Sequence, residues 1–409
     1  MLNRELVVFR SQPRNVRVLL SAFMLYACVM PVMNIFVGSY IMRNSQDVGK
    51  VVLYQLMIYT GIPVTAWMNG YLLNHLKGSW LYASGMFLSG ISMFIMTSIH
   101  ALDNTGIAVA GLLMGGASGL FWSNRNYLVL KSTTDENRNY YQGLESFMAT
   151  FCGVFIPLLV GWAIAVSPTW FGTSDVNTAY RVVTFLVMVM TAAAAGIILR
   201  GDFESPKLAR FVYVAYDSLW NKLLLLASFK GMVQGFIVTA PAMLIMHVMQ
   251  GQEGALGTVQ SVGALLSALL MYVIGRNSKP RHRMMIFGAG IWLFALGALL
   301  NGAVFNSMSV IFFMVCMMFA QALLDIAYFP IQMKVIDHVA KIEQRSDYAY
   351  ILSHETGLYF GRLFGCGLFL VIAYCVSREM ALRVVLPVVA LLQALSIPLA
   401  KHILRRIEA

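Results

Sequence analysis

Six ionisable side chains lie inside long apolar stretches of this sequence: Arg125, Glu145, Lys230, Asp325, Glu355 and Arg362, with His354 beside them. In a lipid-embedded helix such a group turns towards a partner or a wet cavity, so each marks a candidate functional position. The chemistry open to them is ion pairing and proton carriage. Arg125, within Trp122-Ser123-Asn124-Arg125-Asn126-Tyr127, and Glu145 are expected at similar shallow depth on neighbouring helices, where they can pair. The plainer reading of that pair is a salt bridge that holds two helices together or closes a gate. Lys230 and Asp325 each sit about ten residues into their stretches, roughly 15 Å deep and near the middle of a ~30 Å core. A cation there needs a carboxylate at matching depth, as a constitutive pair or as one that the working cycle breaks.

The most unusual stretch is Ser353-His354-Glu355-Thr356-Gly357-Leu-Tyr359-Phe360-Gly361-Arg362. Glu355 and Arg362 are seven residues apart, so they share one helix face two turns apart. A carboxyl in a semi-dry cavity can keep its proton near neutral pH, as a proton carrier must. His354 titrates near neutrality when unperturbed, although a lone histidine is more often a satisfied packing residue. Tyr26, Asn34, Gln55, Trp122, Asn126, Gln234, Gln260 and Gln321 complete a candidate substrate cavity of amides and aromatics. Each one singly could equally be glue between helices.

The elements that must position these residues are transmembrane helices. Val51 to Leu73 contains no charged residue. About 20 mainly apolar residues carry a helix across the hydrocarbon core, and only helices and closed barrels satisfy their backbone in lipid. Stretches this long exclude barrel strands. Spans are expected at roughly 16–42, 50–74, 79–99, 105–130, 140–166, 177–199, 221–249, 252–275, 284–305, 307–334, 347–376 and 380–403. The chain is 59% hydrophobic and 11% charged, against about a quarter charged in soluble domains. The net charge of +11 therefore fits basic cytoplasmic loops rather than nucleic acid.

Twelve spans put both ends on one side. Arg4, Arg10, Arg14 and Arg17 precede the first span, Lys401, Arg405 and Arg406 end the last, and Arg276, Lys279, Arg281 and Arg283 crowd one short loop. The opposite side holds few cations: Arg43, Lys50, Arg181, Arg378 and Arg383. This bias places both termini in the cytoplasm. No cleavable signal peptide is expected, and compact loops point to a bacterial inner membrane. Cys28, Cys152, Cys316, Cys366 and Cys375 all fall within expected spans without metal-type spacing, so buried free thiols are expected.

The longest connection holds Asp202, Glu204, Pro206, Lys207, Arg210 and Asp217 and divides the chain into halves at 1–199 and 221–409, with a linker at 200–220. The halves echo each other. Leu19-Leu-Ser-Ala-Phe23 resembles Leu225-Leu-Ala-Ser-Phe229, Phe121-Trp122 matches Tyr328-Phe329, and Ala179-Tyr-Arg181-Val-Val matches Ala381-Leu-Arg383-Val-Val, at offsets near 206 residues. Glu355 falls at roughly the repeat position of Glu145. Matches in one order at one offset indicate a parallel duplication.

With its twelve spans and duplicated halves the chain resembles the major facilitator superfamily of secondary transporters over essentially its whole length. The resemblance implies an all-α membrane protein of two six-helix halves with a central site between them. Gly70-Tyr-Leu72-Leu-Asn74-His75-Leu-Lys77-Gly78 is similar to the family's Gly-x-Leu-x-Asp-Arg loop, with Asn74 and His75 replacing the usual Asp and Arg. It implies a gating role for Gly70, Asn74 and Lys77. Gly153-x3-Pro157-x3-Gly161 is similar to the glycine-proline motif of the family's antiporters, too loosely to assign antiport.

The resulting expectation is a secondary active transporter of a small polar or amphiphilic solute, coupled to protons, without a cofactor or nucleic-acid partner, and working as a monomer in the bilayer. A drug or metabolite exporter within the same fold is an alternative. A polytopic membrane enzyme is another, but no Gly-Lys-Ser/Thr loop, zinc motif or nucleophile elbow occurs. The nearest candidates are His100-x-x-Asp103 in an outer loop and Asp337-His338 in an inner loop. The lack of a sizeable soluble domain speaks against a receptor or scaffold.

Overall fold

Long apolar runs with capped starts become helices in a computed structural model that describes residues 2–99, 102–171, 176–203, 213, 215–248, 252–277, 280–345 and 347–408. Twelve helices are long and apolar enough to cross a membrane: α1 Arg14–Ser45, α2 Val48–Leu72, α3 Gly78–Ser98, α4 Asn104–Val129, α5 Tyr140–Trp170, α6 Asn177–Ile198, α7 Ser218–Val248, α8 Glu253–Ile274, α9 Arg283–Val304, α10 Ser307–Glu343, α11 Ala349–Cys375 and α12 Arg378–Ile407. A short helix, Leu2–Ser11, precedes them. Side-chain caps mark several starts. Asp47 accepts from Gly49 N, Asp217 from Leu219 N and Ser377 from Met380 N, while Asn306 and Ser309 form a reciprocal capping box. Each satisfies a backbone donor that has no partner within the helix.

Two helices are interrupted mid-membrane at equivalent points of the repeat. α1 passes through a π turn, Val32–Phe36, just after Pro31, and α7 breaks at Val238. Such wide turns rotate the side chains beyond them onto a new face.

The first six helices pack chiefly as α2–α4, α3–α4, α3–α6, α1–α6 and α1–α5. The second six pack as α7–α11, α9–α10, α9–α12, α8–α10 and α11–α12. The two sets meet along α5–α8, along α2–α11, and where the far halves of α1 and α7 touch. Here "terminal face" denotes the side that holds both chain ends and "far face" the other. One large core runs through both sets and includes the far-side residues Tyr40, Ile41, Met243 and Leu244. A separate core, with Trp220, Ile286, Val335, Tyr350 and Ile403, belongs to the terminal ends of the second set alone.

Some expectations need correction. α10 continues to Glu343, so Asp337 and His338 lie on a helix rather than in a loop. The helix simply extends past the apolar region, because helix length is not limited by bilayer thickness. Cys375 is exposed at the end of α11, while Cys28 and Cys152 bring their Sγ atoms within 3.5 Å as free thiols. His100, Glu204, Pro206, Lys207, Arg210 and Lys279 lie outside the described residues.

Candidate substrate pathway

Glycines decide where the charged chain of the second half forms. Gly357, Gly361 and Gly365 recur every four residues along α11 and face α7. A β-carbon at Gly361 would collide with the Ser228 carbonyl oxygen, and one at Gly365 would lie 2.7 Å from that of Met232. Gly231 on α7 faces the Leu358 carbonyl in the same way. Small residues let membrane helices approach to backbone contact, and Ser228 Oγ donates to Gly357 O at 2.9 Å across the seam. This closeness brings Arg362 to Gln234.

Arg362 donates to Gln234 Oε1 from Nε at 3.2 Å and from Nη2 at 2.8 Å, and its Nη1 reaches Glu355 Oε2 at 3.4 Å. Its guanidinium lies 4.6 Å from the ring centre of Tyr59 on α2, in the other half. Tyr59 in turn donates to Gln234 O at 2.7 Å. A cation-π contact of this kind contributes about 0.5–2 kcal/mol, and hydrogen bonds to a charged group about 1.5–3 kcal/mol each. Gln234 therefore belongs to the charge cluster, and its carbonyl oxygen is occupied.

On the terminal side of that cluster, Lys230 Nζ donates to Asp325 Oδ1 at 2.9 Å and lies 4.3 Å from the ring centre of Tyr328. Tyr328 Oη and His354 Nε2 are 2.7 Å apart. The contact expected from their matching depth is present, and Asp325 is the more exposed of the pair. Gln321, Asp325 and Phe329 form an uncovered stripe along α10, one residue per turn.

The first half arranges its charges differently. Arg125 grips Glu145 with two donors, Nε to Oε1 at 2.9 Å and Nη2 to Oε2, and gives Nη1 to Asn126 Oδ1 at 2.7 Å. Tyr141 Oη adds a long bond to Glu145 Oε1 at 3.4 Å. Trp122, half exposed, stands 6.0 Å from the guanidinium. Asn124 bonds Asn69 at 2.7 Å across α2 and α4.

The candidate cavity amides separate into two groups. Asn34 and Gln260 line a recess of about 310 Å³ between α1, α5, α7 and α8, with Gly153 and Ala149 on its wall. A larger recess of about 440 Å³ between α1, α3 and α6, with Arg181 on its wall, lies within one half at the far face. Tyr26 and Gln55 are both buried, and neither lines either of these two recesses. Tyr26 stacks on Phe121 at 4.3 Å and donates to Ser89 Oγ at 3.2 Å. The π turn between Tyr26 and Asn34 sends the two side chains to different faces.

The loop after α2 is exposed at Asn74, His75 and Lys77, whereas Gly70 is buried. The Asn74 and Lys77 side chains make no hydrogen bond or ion pair to any described residue.

The far face holds a latch that the charge count overlooked. Arg43 on α1 grips Glu253 at the start of α8 with Nε and, at 2.6 Å, with Nη2, and Tyr180 on α6 donates to Glu253 Oε1 at 3.3 Å. Arg378 at the start of α12 reaches Asp47 Oδ2 before α2 at 2.9 Å. Asp47 and Glu253 are 206 residues apart, the offset of the repeat, and that coincidence was the available signal. Trp162 Nε1 donates to Thr258 Oγ1 at 3.1 Å, and α5 and α8 cross closely where a β-carbon at Gly161 would lie 2.7 Å from Glu253 O. The glycine-proline stretch thus seals one seam with Gly161 and lines the recess with Gly153. Between pairs of described residues, hydrogen bonds and ion pairs joining the halves run from the Tyr59–Gln234 level to the far face.

A model of the Major Facilitator Superfamily matches residues 16–365, and the chain belongs to that family of transporters. It is 22% identical over 377 residues to "Uncharacterized protein YqgE" of Bacillus subtilis (strain 168), covering 90% of this chain and 84% of that protein. The chain superposes on a POT family transporter in complex with 5-aminolevulinic acid with a TM-score of 0.69 at 12% identity, covering 96% and 97% of the two chains. The nucleoside transporter NupG gives 0.65 at 11% identity, covering 94% and 99%. At these identities the likeness establishes the fold: twelve transmembrane helices in two six-helix halves.

Proposed function

We propose that this protein is a proton-coupled secondary transporter of a small polar or amphiphilic solute, with its solute site in the cleft between residues 1–199 and 221–409. The observation that carries the proposal is the joining of the halves by bonds that run, among the described residues, from mid-membrane to the far face. With both termini in the cytoplasm of a bacterial inner membrane, as the basic residues indicate, this is the inward-facing state. The outward-facing state requires the Arg43–Glu253 and Arg378–Asp47 pairs to part. The Gly70–Gly78 loop and the Arg125–Glu145 region then approach the second half. The chain works as a monomer.

Glu355 is the proton carrier in this reading. Arg362 divides its donors between Glu355 and Gln234, and it rests on Tyr59 of the opposite half. Rocking of the halves moves Tyr59 relative to Arg362 and so changes how the guanidinium divides its donors between Glu355 and Gln234. Asp325, held by Lys230, is the second candidate. His354, engaged by Tyr328, serves as a positioning residue.

The test is uptake into proteoliposomes with and without a pH gradient, using solutes first selected because they raise the Tm of the purified protein. Glu355→Gln should abolish gradient-driven accumulation while retaining solute binding and exchange. Accumulation with an unchanged pH dependence would move the coupling role to Asp325. Absence of any solute flux would favour the membrane-enzyme alternative.

A further inference from the structure

The cleft shows an asymmetry of charge that bears on what it carries. In both ion pairs of the second half, the cation is the covered partner and the carboxylate the open one. The side chain of Arg362 is 10% exposed against 34% for Glu355, and that of Lys230 is 20% exposed against 43% for Asp325. Each cation has an aromatic face over it, Tyr59 for Arg362 and Tyr328 for Lys230. Each carboxylate spends one oxygen on its partner, Glu355 Oε2 and Asp325 Oδ1. The other oxygen of each accepts nothing from any described residue. Each pair therefore presents its negative end on its more exposed side.

Arg125 of the first half is already paired. It directs Nε and Nη2 at Glu145 and Nη1 at Asn126, and Glu145 is itself buried. Its charge is neutralised and three of its five N–H donors are engaged. Neutral polar groups complete the cleft: Asn34 and Gln260 in the recess, and Gln321 one turn from Asp325. Low-dielectric walls focus such a field on whatever enters. A carboxylate or phosphate there would meet two open carboxylate oxygens, whereas an ammonium group would make charge-assisted hydrogen bonds to them.

We propose that the transported solute carries a protonated amine, read by the open carboxylate oxygens of Glu355 and Asp325. The proposal rests on the cleft being the solute site. It assigns Glu355 two tasks that exclude each other, holding a proton or holding the amine, which suits exchange of one cation for another.

The test places a reporter thiol beside the carboxylates. Gln321→Cys in purified protein is treated with the cationic reagent MTSET and the anionic reagent MTSES. Rates are corrected for reaction with a free thiol and for the parent protein, whose Cys375 is exposed. The cation should be favoured at least about tenfold, in the range by which charged clefts alter association rates. Glu355→Gln together with Asp325→Asn leaves Arg362 and Lys230 without their carboxylates and should reverse the preference, so that the anionic reagent reacts faster. An equal or anion-favouring ratio in the parent reporter overturns the proposal and leaves the transporter reading intact. Failure of both reagents to react overturns the open-cleft reading and this proposal with it.

A second measurement uses Tm shifts with phenethylamine, tyramine and putrescine against 3-phenylpropionate, 4-hydroxyphenylacetate and succinate. At least one amine and none of the carboxylates should stabilise the protein. A stabilising carboxylate, or no stabilising amine, overturns the proposal.

Discussion

The two halves descend from one repeat, yet they use their glycines and charges for different ends. In the first half the tightest glycine seam runs between α2 and α4, where Gly111, Gly115 and Gly119 meet the carbonyls of Tyr54, Ile58 and Ile62. That seam carries the Asn69–Asn124 bond, and the Arg125–Glu145 pair closes on itself beside it. In the second half the corresponding closeness lies between α7 and α11, a different helix pair, and it draws Arg362, Gln234 and Glu355 together against Tyr59 of the other half. The first half thus pairs the Arg125 and Glu145 charges within itself, while the Arg362 cluster of the second half reaches the seam. Duplication preserves the helix layout, while single residues decide which half reaches across the cleft.

The comparison can be broken most sharply at its glycines. Gly361→Ala and Gly115→Ala both force a β-carbon into a backbone carbonyl, so each should cost about 1–3 kcal/mol and lower the Tm alike. Per folded molecule, however, only Gly361→Ala should lose most of its transport, because only that seam holds the charge chain. Equal transport per folded molecule in the two variants would show that the halves do not differ in this way.

A smaller effect is expected at Lys230 and Asp325. Asp325→Asn leaves an ammonium near mid-membrane with no carboxylate, and breaking a buried pair costs about 3–5 kcal/mol, an upper bound here because both side chains are partly exposed. Transport should fall at least about tenfold, whereas Asp325→Asn combined with Lys230→Met should recover part of the Tm and of binding. Identical damage in the single and double variants would leave the pair without functional meaning.

The mildest change should come from reversing the first-half pair. Arg125→Glu and Glu145→Arg should each reduce transport severalfold, and the double reversal should restore part of it, because the pair is self-contained. No rescue would mean that one of the two side chains has a partner beyond the pair in another state of the cycle.

Much of this organisation was legible in the residues. Charge-free stretches of membrane length specify helices because lipid offers no alternative backbone partner, and the expected spans agree with the observed helices to within a few residues except where α10 runs on to Glu343. Lys230 and Asp325, and likewise Arg125 and Glu145, were matched by depth alone and lie in contact. Facing was less legible. Tyr26 and Gln55 read like cavity residues but are buried in this state, since composition gives a helix its depth and packing gives it its rotation. Gln234 looked like a free amide and proves to be engaged by Arg362.

By itself the sequence determined the number and extent of the helices, because these follow from the transfer of side chains between water and lipid, residue by residue. Tertiary structure alone decided which charges meet across the seam. The Arg43–Glu253 and Arg378–Asp47 latch joins residues more than two hundred positions apart at helix ends, where charges are ordinarily solvated. Burial of Glu253 comes only when α1, α6 and α8 converge. The same holds for Glu355 and Asp325: their charge is written in the chain, but which of their oxygens stays open depends on which rings and donors the packed helices bring to their partners.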